Sequence, residues 1–118
     1  MDDEAREIAR RASGRLAPQF GPALPAFVER ELQHPGADLQ RYTGVELAIA
    51  IAGLVVSVAQ FAWQIYRDLK KDRTEVSSEA LARQLRVQVE VPAPVTPAER
   101  DQVIRIVVDE VLASPTDV

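Results

Sequence analysis

Residues 44–72 read GVELAIAIAGLVVSVAQFAWQIYRDLKKD. From Leu47 to Tyr66 twenty consecutive residues carry no charge, and Gly53 is the one poor helix former among them. The run predicts one long apolar helix filling a segment 44–73, with Thr43 as a candidate cap. Twenty residues rising about 1.5 Å each cover about 30 Å, the thickness of a bilayer core. The same run serves equally as the central helix of a soluble bundle. The fold therefore turns on what covers it.

Two sets of residues bear on that question. Trp63, Tyr66 and Lys70 lie at the C-terminal end, where aromatic and basic anchors sit in a membrane interface. RDLKKDR (67–73) adds four basic residues in seven, which under the positive-inside rule puts the C-terminal side in the cytoplasm. That orientation leaves residues 1–43, with thirteen charges, to be translocated. The second set is Glu46, Ala50, Gly53, Ser57, Gln60, Gln64, Arg67 and Lys71. Their spacing alternates between four and three, so small and polar side chains share one heptad-spaced stripe. In a membrane such a stripe is an association seam, with close backbones and amide hydrogen bonds. In water it is the narrow exposed edge of a helix otherwise covered by its neighbours. Leu47, Ile49, Ile51, Leu54, Val55, Val56, Val58, Phe61, Trp63 and Ile65 occupy the other faces. A single chain of 118 residues has few helices with which to cover them, so even the soluble reading predicts an oligomer or a partner complex.

The flanks are amphipathic. In segment 1–43 a helix over 3–16 is expected, with Ile8, Ala12, Arg15 and Leu16 at helical spacing and acids at its start. Pro18, Gly21, Pro22 and Pro25 then predict a turn-rich linker. A short helix over 24–33, with Phe27, Val28 and Leu32 on one face, ends at His34-Pro35-Gly36. In segment 74–118 a break at 74–78 precedes a short helix over 78–85. RVQVEV (86–91) alternates, which predicts a half-buried β-strand facing Val87, Val89 and Val91 inward until Pro92 and Pro94 end it. Thr96-Pro97-Ala98-Glu99 forms a capping box with proline at the first helical position. It predicts a C-terminal helix over 97–113 that buries Val103, Ile104, Val107, Val108, Val111 and Leu112. Its many β-branched residues leave a strand as the alternative. The expected fold is mostly α, with one short strand.

Composition narrows the function classes. The chain has no cysteine, which removes disulfides and thiolate metal sites. The acidic, amphipathic start MDDEAREIARR is no secretory signal, so a cytoplasmic or cytoplasmic-membrane-associated protein is expected. The net charge is −4 and no segment is strongly basic, so no nucleic-acid partner is expected. His34 is the only histidine and lacks companions at metal-ligand spacing. No Gly-rich phosphate loop, nucleophile–base pair or convergent carboxylate pair is visible. Glu46 reads first as a helix N-terminal acid favoured by the dipole, and in a membrane as a seam or ion-binding residue. No catalytic residue, cofactor, metal or small-molecule substrate is expected.

The run LAIAIAGLVVSVAQFAWQIYRDLKKD (47–72), then EALARQLRVQVEV (79–91) and TPAERDQVIRIVVDEVL (96–112), resembles small effector-associated or adaptor components of bacterial, notably actinobacterial, conflict systems. The resemblance lies in layout and spans at most residues 44–113. It implies a helper that tethers a sensor or effector by protein–protein contact. The leading expectation is thus a non-enzymatic interaction module acting through self-association or partner docking of the central helix. A single-pass membrane anchor or assembly subunit is the alternative, followed by a membrane-permeabilising effector and a small enzyme with an unfamiliar site.

Overall fold

The computed structural model describes residues 2–34, 46–72 and 75–113. Five helices make up the fold among those residues: α1 (Asp3–Phe20), α2 (Leu24–Gln33), α3 (Glu46–Asp72), α4 (Ser78–Gln88) and α5 (Pro97–Leu112). At 27 residues α3 is about 40 Å long, and it runs along most of the 46 Å long axis of the molecule. The other four helices all pack against it. One core draws on every segment of the chain. Thr43 and Pro35-Gly36 lie outside the described residues.

α1, α4 and α5 start where a side chain satisfies free N–H groups, whereas α2 starts at Ala23 with no side-chain cap and with Pro25 in its first turn. Asp2 caps α1 by accepting from Glu4 N at 3.1 Å, and Ser77 caps α4 by accepting from Ala80 N at 3.1 Å. The Thr96–Glu99 capping box of α5 forms in both directions, at 3.1 and 2.9 Å. The helical alternative for 97–113 is therefore the one adopted, and β-branched crowding yields to the cap and to burial of Val103, Ile104, Val107, Val108 and Val111. Leu112, expected in that buried face, is exposed at the helix end.

Two boundaries differ from the expectation. α1 continues through Pro18 to Phe20. Pro18 falls in the last turn, where its missing N–H removes only one ladder bond, and Phe20 packs against the core. Gly21 then ends the helix at φ +116°, its N–H donating to Ala17 O at 2.8 Å. The linker shrinks to residues 21–23. Arg15, which shares the helical spacing of Ile8, Ala12 and Leu16, is exposed and reaches the carboxylate of Glu110 rather than the core.

The strand at 86–91 is not formed; the described residues contain no strand, and α4 runs on to Gln88. The physical reason is a competing period. Leu81, Leu85 and Val89 recur every four residues, and all three are buried. Val87, an inward residue of the alternating reading, is 83% exposed. Pro92 to Val95 then turn the chain, Val95 N–H donating to Pro92 O at 2.7 Å.

Polar contacts fix how the helices pair. Arg11 and Arg15 of α1 donate to the Glu110 carboxylate of α5 at 2.9 and 3.0 Å, and Gln19 donates to Gln102 at 2.7 Å. The rising numbers on α1 meet falling numbers on α5, so these helices are antiparallel. Arg10 joins Glu7 and, across to α2, Glu29.

The Arg10 hydrogen bond holds the Glu29 carboxyl below its ordinary value of 4.5, with charge attraction adding to it. A carboxylate with a lowered folded pKa stabilises the fold above its unfolded pKa and loses that contribution as pH falls through the folded one. Both side chains are 39% exposed, so solvent screening keeps the effect small. The Glu29→Gln variant is expected to be slightly less stable than the native chain above about pH 4.5. The difference should close at lower pH, as read from urea midpoints across a pH series.

Candidate functional site

α3 is a helix with two unlike sides. Ile51, Ala52, Leu54, Val55, Val58, Ala59, Ala62 and Trp63 are buried against the other helices. The chain's own helices thus cover part of the apolar surface that the sequence suggested one copy would struggle to hide, with 44% of the apolar stretch of α3 buried. What they leave open is the heptad-spaced stripe. Glu46, Ser57, Gln60, Gln64, Arg67 and Lys71 are exposed, and Ala50 and Gly53 are half-buried. All eight lie on one face, as 3.6 residues per turn requires of a 4-3 spacing. Most of this face is polar, so the stripe lies where water meets the bundle.

Two apolar residues interrupt it. Phe61 is 41% exposed and Leu47 is 37% exposed. Both were assigned to the apolar faces, yet at 100° per residue Phe61 lies only 40° from Ser57 around the axis. Plotting the stripe on a helical wheel would have found it. Ala50, Val56 and Ile65 are partly buried beside the core and widen the apolar margin. Arg67 pairs with Asp2 at 3.3 Å and Lys71 with Asp68 at 3.6 Å, both in exposed settings.

Gly53 sits in the middle of the stripe. A Cβ built there meets nothing within 4 Å. The fold of a single copy therefore does not require glycine at this point, although glycine inside a helix costs roughly 0.5–1 kcal/mol relative to alanine.

The three residues with the look of membrane-interface anchors do not act as one group. Trp63 is 3% exposed and faces inward, while Tyr66 and Lys70 are half-buried. The Trp63 indole N–H donates to Asp2 Oδ2 at 3.1 Å, and its ring stacks on Tyr66 with centroids 5.7 Å apart. Asp2 thus caps α1 and holds the C-terminal half of α3 with the same carboxylate. His34 is exposed at the end of α2. Among the described residues no three side chains of metal-binding type converge. A feature invisible in the sequence is the open groove between α4 and α5, whose lining includes Arg83, Arg86 and Arg105.

The chain matches no protein-family model, no curated protein and no solved structure.

Proposed function

We propose that this chain is a non-enzymatic assembly module, and that the exposed stripe of α3 is the surface through which it associates with a second copy. Gly53 is the observation that carries the reading. A glycine that its own fold does not need, in a stripe with Ala50 and Ser57, lets another helix backbone approach closely. Charge sets the direction of approach. Glu46 stands at one end of the stripe and Arg67 and Lys71 at the other. An antiparallel pair crossing near Ser57 brings the acidic end of each copy to the basic end of its partner. It also sets Gly53 opposite Gln60 and covers Phe61. A parallel pair would put like charges together. The adaptor role suggested by the resemblance to bacterial conflict-system components belongs to this reading, as does a cytoplasmic location.

The test is molar mass in solution. The native chain is expected to dimerise at micromolar concentrations in sedimentation equilibrium. Leucine at both Gly53 and Ser57 should make it monomeric while far-ultraviolet circular dichroism stays unchanged. Gly53→Ala alone should stabilise the monomer by roughly 0.5–1 kcal/mol, since its Cβ enters open space. A native chain that stays monomeric, or a double variant that still dimerises, counts against the proposal.

A membrane anchor is the second reading, favoured by the length and apolar character of α3. Insertion would separate α3 from the helices that now bury Ile51, Val55 and Val58. Recovery of the expressed chain only with detergent would favour it over the soluble module.

A further inference from the structure

Four of the five helices are tied to one another by side-chain hydrogen bonds. Asp2, the cap of α1, accepts from Trp63 of α3. Arg10 of α1 reaches Glu29 of α2, and Arg11 and Arg15 of α1 reach Glu110 of α5. α4 stands apart. Among the described residues none of its polar side chains hydrogen-bonds or pairs with another helix. It packs on α3 and α5 and touches neither α1 nor α2. Leu81 and Leu85 are its two buried residues, with Val89 buried at its C-cap, whereas α5 buries five. An open groove of about 920 Å³ lies between α4 and α5, and Ile104 and Val108 of α5, both buried, line it.

We propose that α4 is a strap that opens by itself, melting away from α3 and α5 while the other four helices stay packed. A segment opens alone when the contacts it must break are few and lie on one side of it. α4 meets that condition with two leucines and no polar tie. Once lifted it does not persist as a helix, because eleven residues without tertiary contacts are too few for a stable helix in water. α1 cannot open in the same way. It packs on α2, α3 and α5 at once, and its arginines would lose carboxylates on two of them. Opening of α4 bares Ile104 and Val108, so the chain passes between a closed face and an apolar one. The opening needs no association through the α3 stripe.

Native-state hydrogen exchange, read residue by residue by nuclear magnetic resonance on the full chain in low urea, is the test. Amides 82–88 are expected to exchange at least about a hundredfold faster than the slowest amides of α3 and α5, with a weaker urea dependence, yet well below free-peptide rates. Ile8→Val is the companion variant, since Ile8 is buried in α1, which does not touch α4. This mild truncation should speed the slow amides of α3 and α5 by about two- to tenfold. It should leave the α4 rates unchanged, because α1 stays packed when α4 opens. α4 amides as slow as those of α3 and α5, α4 amides with no protection, or acceleration of α4 by Ile8→Val in step with the other helices would each overturn the proposal.

Discussion

Alanine in place of Trp63 is expected to destabilise the chain by about 3–5 kcal/mol, the range for truncating a large aromatic in a core. The argument starts from burial. The side chain is 3% exposed, so truncation opens a cavity among close-packed atoms rather than a gap that water can fill. It also removes the stack on Tyr66 and the donor that Asp2 accepts across from α1. Trp63→Phe keeps most of the volume and loses the hydrogen bond, so it should cost less, about 1–2 kcal/mol. Urea unfolding followed by circular dichroism measures both variants. The result separates two roles for this residue. A tryptophan anchoring a membrane interface would leave the soluble fold untouched when replaced, and an unchanged urea midpoint in Trp63→Ala would return the residue to that role.

What could be read from the sequence was local. The capping box at Thr96 and Glu99 is a four-residue event, and its two hydrogen bonds form as its spacing requires. The bounds of α2 and the course of α3 follow from proline and from an apolar run too long for a strand. The stripe of α3 was legible as a stripe, because a 4-3 spacing forces eight residues onto one face. Whether that face or the others met solvent depended on where α1, α2 and α5 came to rest. The same limit hid the Glu110 carboxylate, which joins α5 to Arg11 and Arg15 across separations of 99 and 95 residues. It hid Trp63 as well, since end-of-helix aromatics look alike whether they face lipid or a neighbouring helix. The α4–α5 groove exists only once those helices pair, so no spacing along the chain announces Arg105 beside Arg83.

The segment 81–91 supplies the other large effect, because two periods compete within one stretch. Leu81, Leu85 and Val89 fit a helix, while Val87, Val89 and Val91 fit a strand, and Val89 satisfies both. The helical period prevails through long-side-chain burial. Leu81 and Leu85 are fully buried, and Arg83, Gln84 and Arg86 are good helix formers facing water. Leu85→Ala is therefore expected to cost about 2–5 kcal/mol. Val87→Ala should change stability by no more than about 0.5 kcal/mol, and in the favourable direction if anything, since alanine suits an exposed helix position better than valine. A strand over 86–91 would instead put Val87 in the buried row with Val89 and Val91, and Val87→Ala would then cost stability as well. Urea midpoints of the two variants under identical conditions decide the matter, and a greater loss for Val87→Ala than for Leu85→Ala would mean that α4 ends before residue 87 in solution. The contrast is sharp because the two positions are only two residues apart. Any general weakness of the segment affects them alike, and only the direction each side chain faces can set them apart.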